Sequence, residues 1–78
     1  MISIINTEEL INIIYSNLNK FLEVRLMLSN SLFATHFIFA KSRNYFYDEG
    51  IDGEERKVSK IEFLDNYNNC NWIADQII

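Results

Sequence analysis

The chain has 78 residues, which bounds it to one domain, residues 1–78, of a size that buries only about 60–65% of its unfolded surface and so needs a dense core. Apolar residues at 49% and aromatic residues at 14% supply that core and exclude disorder. Eleven acids against seven bases give a net charge of −4, which speaks against direct nucleic-acid binding, where a basic footprint is needed, and leaves room for a basic protein partner.

The first predicted element is a helix over 7–20. Asn6-Thr7-Glu8-Glu9 reads as an N-cap with acids in the first turn: Asn6 accepts from the amide of Glu9, and the Glu9 carboxylate reaches back, a capping box. Ile5 and Leu10 are placed to staple that end, and Leu10, Ile11, Ile14, Leu18 and Phe21 recur at helical spacing.

The period then changes to two. In FLEVRLMLS, Leu22, Val24, Leu26 and Leu28 share one face, and Glu23, Arg25 and Met27 the other. LFATHFIFA alternates as well, Phe33, Thr35, Phe37 and Phe39 against Leu32, Ala34, His36 and Ile38. A two-residue turn at Asn30-Ser31 pairs Leu28 with Phe33, Leu26 with Thr35, Val24 with Phe37 and Leu22 with Phe39, so that every large apolar residue lands on one face. A third strand is expected at NYFYDE, with Phe46 beside Phe39 on the core face and Tyr45 and Tyr47 on the opposite one. Ser59-Lys60-Ile61-Glu62 is a second capping box, opening a helix at about 60–68 with Ile61, Leu64 and Tyr67 inward. The tail WIADQII suits either a terminal helix turn or an added edge strand.

These elements assemble into an α+β domain in two layers: an N-terminal helix, a three-stranded antiparallel meander and a short C-terminal helix, with the helices over the leucine–phenylalanine face. The other face gathers Met27, Ala34, His36, Ile38, Ala40, Tyr45 and Tyr47, and it stays open unless Trp72, Ile73, Ile77 and Ile78 fold across it. A homodimer through this face is the third alternative.

No residue set points to catalysis. His36 stands near Arg25 and Glu23 as a paired sheet residue, and Cys70 lies among asparagines with no second cysteine, which rules out an intrachain disulfide and fits a reducing compartment. MISIINTEEL lacks a basic n-region and no apolar run approaches a membrane span, so a cytoplasmic location without membrane contact is expected. The segment DEGIDGEE, residues 48–55, concentrates Asp48, Glu49, Asp52, Glu54 and Glu55 around both glycines of the chain. As a calcium loop it fails, because Ser59 stands where the bidentate glutamate is required, so neither metal nor cofactor is expected. It reads either as a solvated turn or as an acidic patch that attracts a Lys/Arg-lined surface.

In size, acidity and composition, with twelve Ile, ten Asn and no Pro, the chain looks like the product of an AT-rich bacterial or phage coding sequence. With DEGIDGEE it resembles the small phage-encoded anti-defence proteins, anti-CRISPR proteins among them, a group without a shared motif from which no functional residue carries over. The resemblance implies a non-enzymatic inhibitor in the host bacterial cytoplasm that blocks a nucleic-acid-processing protein or ribonucleoprotein complex. On that reading Asp48, Glu49, Asp52, Glu54 and Glu55 carry the charge, and Tyr45 and Tyr47 are the neighbouring anchors. An antitoxin or immunity protein that occludes a toxin, and a self-associating accessory subunit, are the competing readings.

Overall fold

The computed structural model describes the backbone of residues 4–29 and 31–77 and the side chains of 4–29 and 31–74. The elements in chain order are β1 (Ile4–Asn6), α1 (Thr7–Tyr15), β2 (Phe21–Met27), β3 (Phe33–Phe39), β4 (Tyr45–Glu49), β5 (Glu55–Ser59), α2 (Lys60–Asn66) and β6 (Asn71–Ile77). The strands form one six-stranded antiparallel sheet in the order β1-β6-β2-β3-β4-β5. This corrects the expected three-stranded meander: the meander β2-β3-β4 is the middle of a sheet twice as wide. Both helices pack on one face, here called the helix face.

Helix α1 starts as its sequence dictates. Asn6 Oδ1 accepts from the Glu9 N–H at 2.8 Å, and Glu9 Oε1 accepts from the Asn6 N–H at 3.1 Å. It ends at Tyr15, short of the expected residue 20, because side chains take over the carbonyls of its last turn. Ser16 Oγ donates to Asn12 O and Asn17 Nδ2 to Ile13 O, both at 2.8 Å. Asn19 then turns the chain in the left-handed region (φ 64°) and donates its N–H to Ala40 O at 2.7 Å. Phe21, expected on the helical stripe, therefore lies on β2 and is 54% exposed.

The register of β2 on β3 differs by one residue from the expected one. Leu22 pairs with Ile38, Val24 with His36 and Leu26 with Ala34, while Phe21, Glu23, Arg25 and Met27 pair with Phe39, Phe37, Thr35 and Phe33. The Leu28 N–H donates to Leu32 O at 2.9 Å, so an odd number of residues separates the paired positions and the parity inverts. The two-residue turn expected at Asn30-Ser31 falls partly outside the described residues, at Asn30. Alternation along β3 does not choose its inner face, since both sets are apolar. Size does: Ala34 and Ala40 leave room for the fully buried rings of Phe46, Phe63 and Trp72, with Leu10, Ile11 and Ile14 of α1 beside them. Ring-on-ring contacts join this layer, Phe63 to Phe46 at 5.0 Å and to Trp72 at 5.5 Å.

Strands β1, β5 and β6 complete the sheet. β6 inserts between β1 and β2, with Trp72 paired to Leu26 on the helix face and Ile73 to Arg25 on the other; a bulge follows at Glu23/Val24. The tail therefore extends the sheet and does not fold across it, though Ile78 lies outside the described residues. Helix α2 is capped by Ser59 Oγ, which accepts from the Glu62 N–H at 3.2 Å, and it ends at Asn66. It buries Phe63 and leaves Ile61, expected inward, 73% exposed. Thr7 locks the layers together: its hydroxyl accepts from Trp72 Nε1 at 2.9 Å and donates to Tyr67 O at 2.7 Å.

Candidate functional site

Among the described residues no helix packs on the opposite sheet face; it is buried at Ile73 on β6 but half-buried or exposed along β2 to β5, and side-chain alternation fixes what it displays there. Two rows of paired residues cross it side by side. Glu23, Phe37, Glu49 and Glu55 form one, on β2, β3, β4 and β5 in turn. Phe21, Phe39, Tyr47 and Lys57 form the other on the same four strands. Neighbouring positions in a row lie on strands about 4.8 Å apart, and the rows are about 6.8 Å apart along the strands.

Aromatic contacts set the texture of this face. The rings of Phe21 and Phe39 are 4.7 Å apart, and Tyr45 meets Tyr47 edge-on at 5.7 Å. Lys57 Nζ stands 4.0 Å from the Tyr45 ring centre, and the Arg25 guanidinium 5.1 Å from that of Phe33. Phe37 is 40% exposed between Glu23 and Glu49. Glu49 and Glu55 oppose each other directly, a like-charge pair that destabilises a ladder, and none of the three glutamates is ion-paired among the described residues. Phe21, Phe39, Lys41, Tyr47 and Glu55 border a shallow hollow of about 310 Å³.

The expected site residues divide three ways. Tyr45, Tyr47, Glu49 and Glu55 come together on the open face. Asp48 points to the helix face, where it is buried and its Oδ1 lies 2.7 Å from His36 Nδ1. His36 is accordingly on the helix face too, opposite Val24, with Tyr67 and Trp72 edge-on to its ring, and not beside Glu23 and Arg25. Asp52 and Glu54 sit in the exposed turn, which the Gly53 N–H closes on Gly50 O at 3.0 Å with Gly53 at φ 76°. There Arg56 Nη2 donates to Asp52 Oδ2 at 2.6 Å and to Glu54 Oε2 at 3.2 Å. Those bonds from Arg56, helped by the Glu54 N–H, hold the Asp52 carboxyl down at about 2 and raise the Arg56 guanidinium. The turn is thus partly neutralised by its own arginine.

The sequence reading missed Phe37 and Phe39 as surface groups, for which the signal was the rejected phase of β3; it assigned Phe21 to the helical stripe, and it set Glu23 on the correct face of β2 without counting it a site residue. Chemically the face offers stacking, apolar contact and carboxylates. On the helix side, a hollow of about 400 Å³ lies between Asn6, Thr7 and the end of α2, with Cys70 Sγ 3.7 Å from Asn68 O. No group of three His, Cys, Asp or Glu is placed to hold a metal ion among the described residues. Nor is any helix among them long and apolar enough to cross a membrane.

Compared with protein-family models, with curated proteins and with solved structures, the chain matches none of them.

Proposed function

We propose that the chain is a non-enzymatic binding protein that lays its open sheet face over a basic surface of a protein or ribonucleoprotein complex and blocks it. The observation that carries this reading is the carboxylate row. Glu49 opposes Glu55 at a cost to the ladder, and Glu23 lies across Phe37 in the same row with no ion-pair partner among the described residues. A guanidinium or ammonium from a partner relieves that repulsion, and the exposed rings beside it supply the apolar contact that anchors an interface. Tyr45, Tyr47 and Phe37 are the anchors, and Glu23, Glu49 and Glu55 the charges. The target implied by the resemblance to small anti-defence proteins is a bacterial nucleic-acid-processing complex, met in the bacterial cytoplasm, with carboxylates standing where phosphates otherwise bind.

Capture from bacterial lysate tests this, with the wild-type chain beside a Glu23→Lys/Glu49→Lys/Glu55→Lys variant. Wild type is expected to retain a nucleic-acid-handling complex that added DNA or RNA displaces, and the variant to lose it. Equal capture by both baits, or a complex indifferent to nucleic acid, refutes the reading.

A further inference from the structure

The open face also carries a pattern that fits its own copy. The two rows that cross it differ in character. One is acidic around a single ring (Glu23, Phe37, Glu49, Glu55) and the other is aromatic and ends in a cation (Phe21, Phe39, Tyr47, Lys57). Consider two such faces stacked at about 10 Å, the usual spacing of packed sheets. A two-fold axis lying in the interface, crossing the strands between the rows, sets each row over the other row of the second copy. Glu55 then faces Lys57, Glu49 faces the hydroxyl of Tyr47, and Phe37 meets Phe39, each contact occurring twice as an isologous interface requires. An axis along the strands instead brings Glu23 of one copy over Glu55 of the other, charge against like charge.

The cation for this contact is at hand. Lys57 Nζ rests on the Tyr45 ring and bonds no carboxylate among the described residues. About this axis strand lies over strand for three residues on each of β2, β3, β4 and β5, roughly 190 Å² in plan at about 4.8 by 3.3 Å per residue. Two copies therefore bury about 400 Å² or more between the strands, an area that suits a weak, reversible pair. Neither edge of the sheet competes. Among the described residues β1 has three, and β5 carries Arg56 and Lys57, both of which discourage pairing edge to edge.

We propose that the free protein pairs reversibly, face to face, with a second copy of itself about this axis across the strands. The inference uses the same face as the proposed function but does not depend on that partner.

Sedimentation equilibrium of the whole chain over micromolar to millimolar concentrations tests it. Wild type is expected to dimerise reversibly. Lys57→Glu and Glu55→Lys each weaken the dimer by about tenfold or more, since each sets like charges over one another twice. The exchanged double variant, Glu55→Lys with Lys57→Glu, restores it, and the two single variants mixed together form a mixed dimer. Circular dichroism and urea midpoints establish that every variant is folded. A wild type that stays monomeric throughout, a dimer that Lys57→Glu leaves intact, or a double variant that fails to recover overturns the proposal. Lys57→Glu also separates the two readings, because it makes the face more acidic: loss of the dimer with basic-partner capture retained supports both. Capture absent in a chain that still dimerises removes the proposed function alone.

Discussion

Ile38→Ala and Phe37→Ala, measured side by side, test the register on which the open face depends. Ile38 is 0% exposed on the helix face. Its truncation leaves a cavity among well-packed neighbours, for which losses of about 2–5 kcal/mol are usual, and about 3–4 is expected here. Phe37 keeps 40% of its surface in water. Burying a whole phenylalanine stabilises by about 1.5–3 kcal/mol, so the covered part of this ring contributes about 1–2, and solvent fills the space it leaves. At roughly 0.05–0.15 kcal/mol per residue the whole chain has about 4–12 kcal/mol to lose, so Ile38→Ala removes a large share of it. With an unfolding entropy of about 2.1 cal/mol/K per residue, each kcal/mol lowers Tm by about 6 °C. That predicts falls of about 18–24 °C for Ile38→Ala and about 6–12 °C for Phe37→Ala. Urea unfolding followed by Trp72 fluorescence, at concentrations where the chain is monomeric, gives both values by linear extrapolation. If Phe37→Ala costs more than Ile38→Ala, the pairing of Val24 with His36 is wrong and Phe37 belongs in the core.

Three further outcomes are expected. In an NMR titration the Asp52 carboxyl should titrate near about 2, below its ordinary 3.8, so its contribution is complete above that ordinary value and fades as pH falls through about 2; Arg56→Ala should return the midpoint to the usual carboxylate range, and no change on removing Arg56 refutes the assignment. Thr7→Val should cost about 2–3 kcal/mol in urea unfolding, because Trp72 Nε1 and Tyr67 O lose their shared partner, while Thr7→Ser keeps most of that stability. Gly53→Ala should cost about 1–2 kcal/mol at φ 76°, with Gly53→Asn milder; equal stability for all three residues means that the turn is not held left-handed.

Local chemistry was legible in the sequence, and long-range choices were not. The Asn6 box and the Ser59 cap depend on neighbours within three residues, and both helix starts follow from them. The alternation of Leu22, Val24 and Leu26 and the facing of Tyr45 and Tyr47 followed as directly from a period of two, though Leu28, expected inward, lies past the end of β2 and is exposed. The inner face of β3 was hidden because Phe33, Phe37 and Phe39 outweigh Ala34, His36 and Ile38 in bulk, whereas a layer of helices and large rings calls for small residues beneath it. β5 was hidden because only Val58 is buried on it, so an edge strand with three charged residues in five reads as loop. For the site, the five carboxylates of DEGIDGEE are neighbours in sequence but split between two faces and a turn. The glutamate that joins Glu49 and Glu55 in their row is Glu23, two strand pairings from Glu49 and outside any local window.

The position of β6 bears on how the chain comes to be folded during synthesis. An interior strand of the sheet, between β1 and β2, is supplied by residues 71–77, and the bond from Trp72 to Thr7 spans 65 positions. Until those residues leave the ribosome, β1 has no neighbour, β2 is an open edge, and the underside of α1 lacks the indole it packs against. The nascent chain can form helical turns and the β2-β3-β4 meander, yet the sheet closes only in one late step, through contacts of long loop closure that form slowly. In that interval both edges of the half-made sheet, and its phenylalanines, stand open to other chains, which makes the order of synthesis a source of exposure to aggregation.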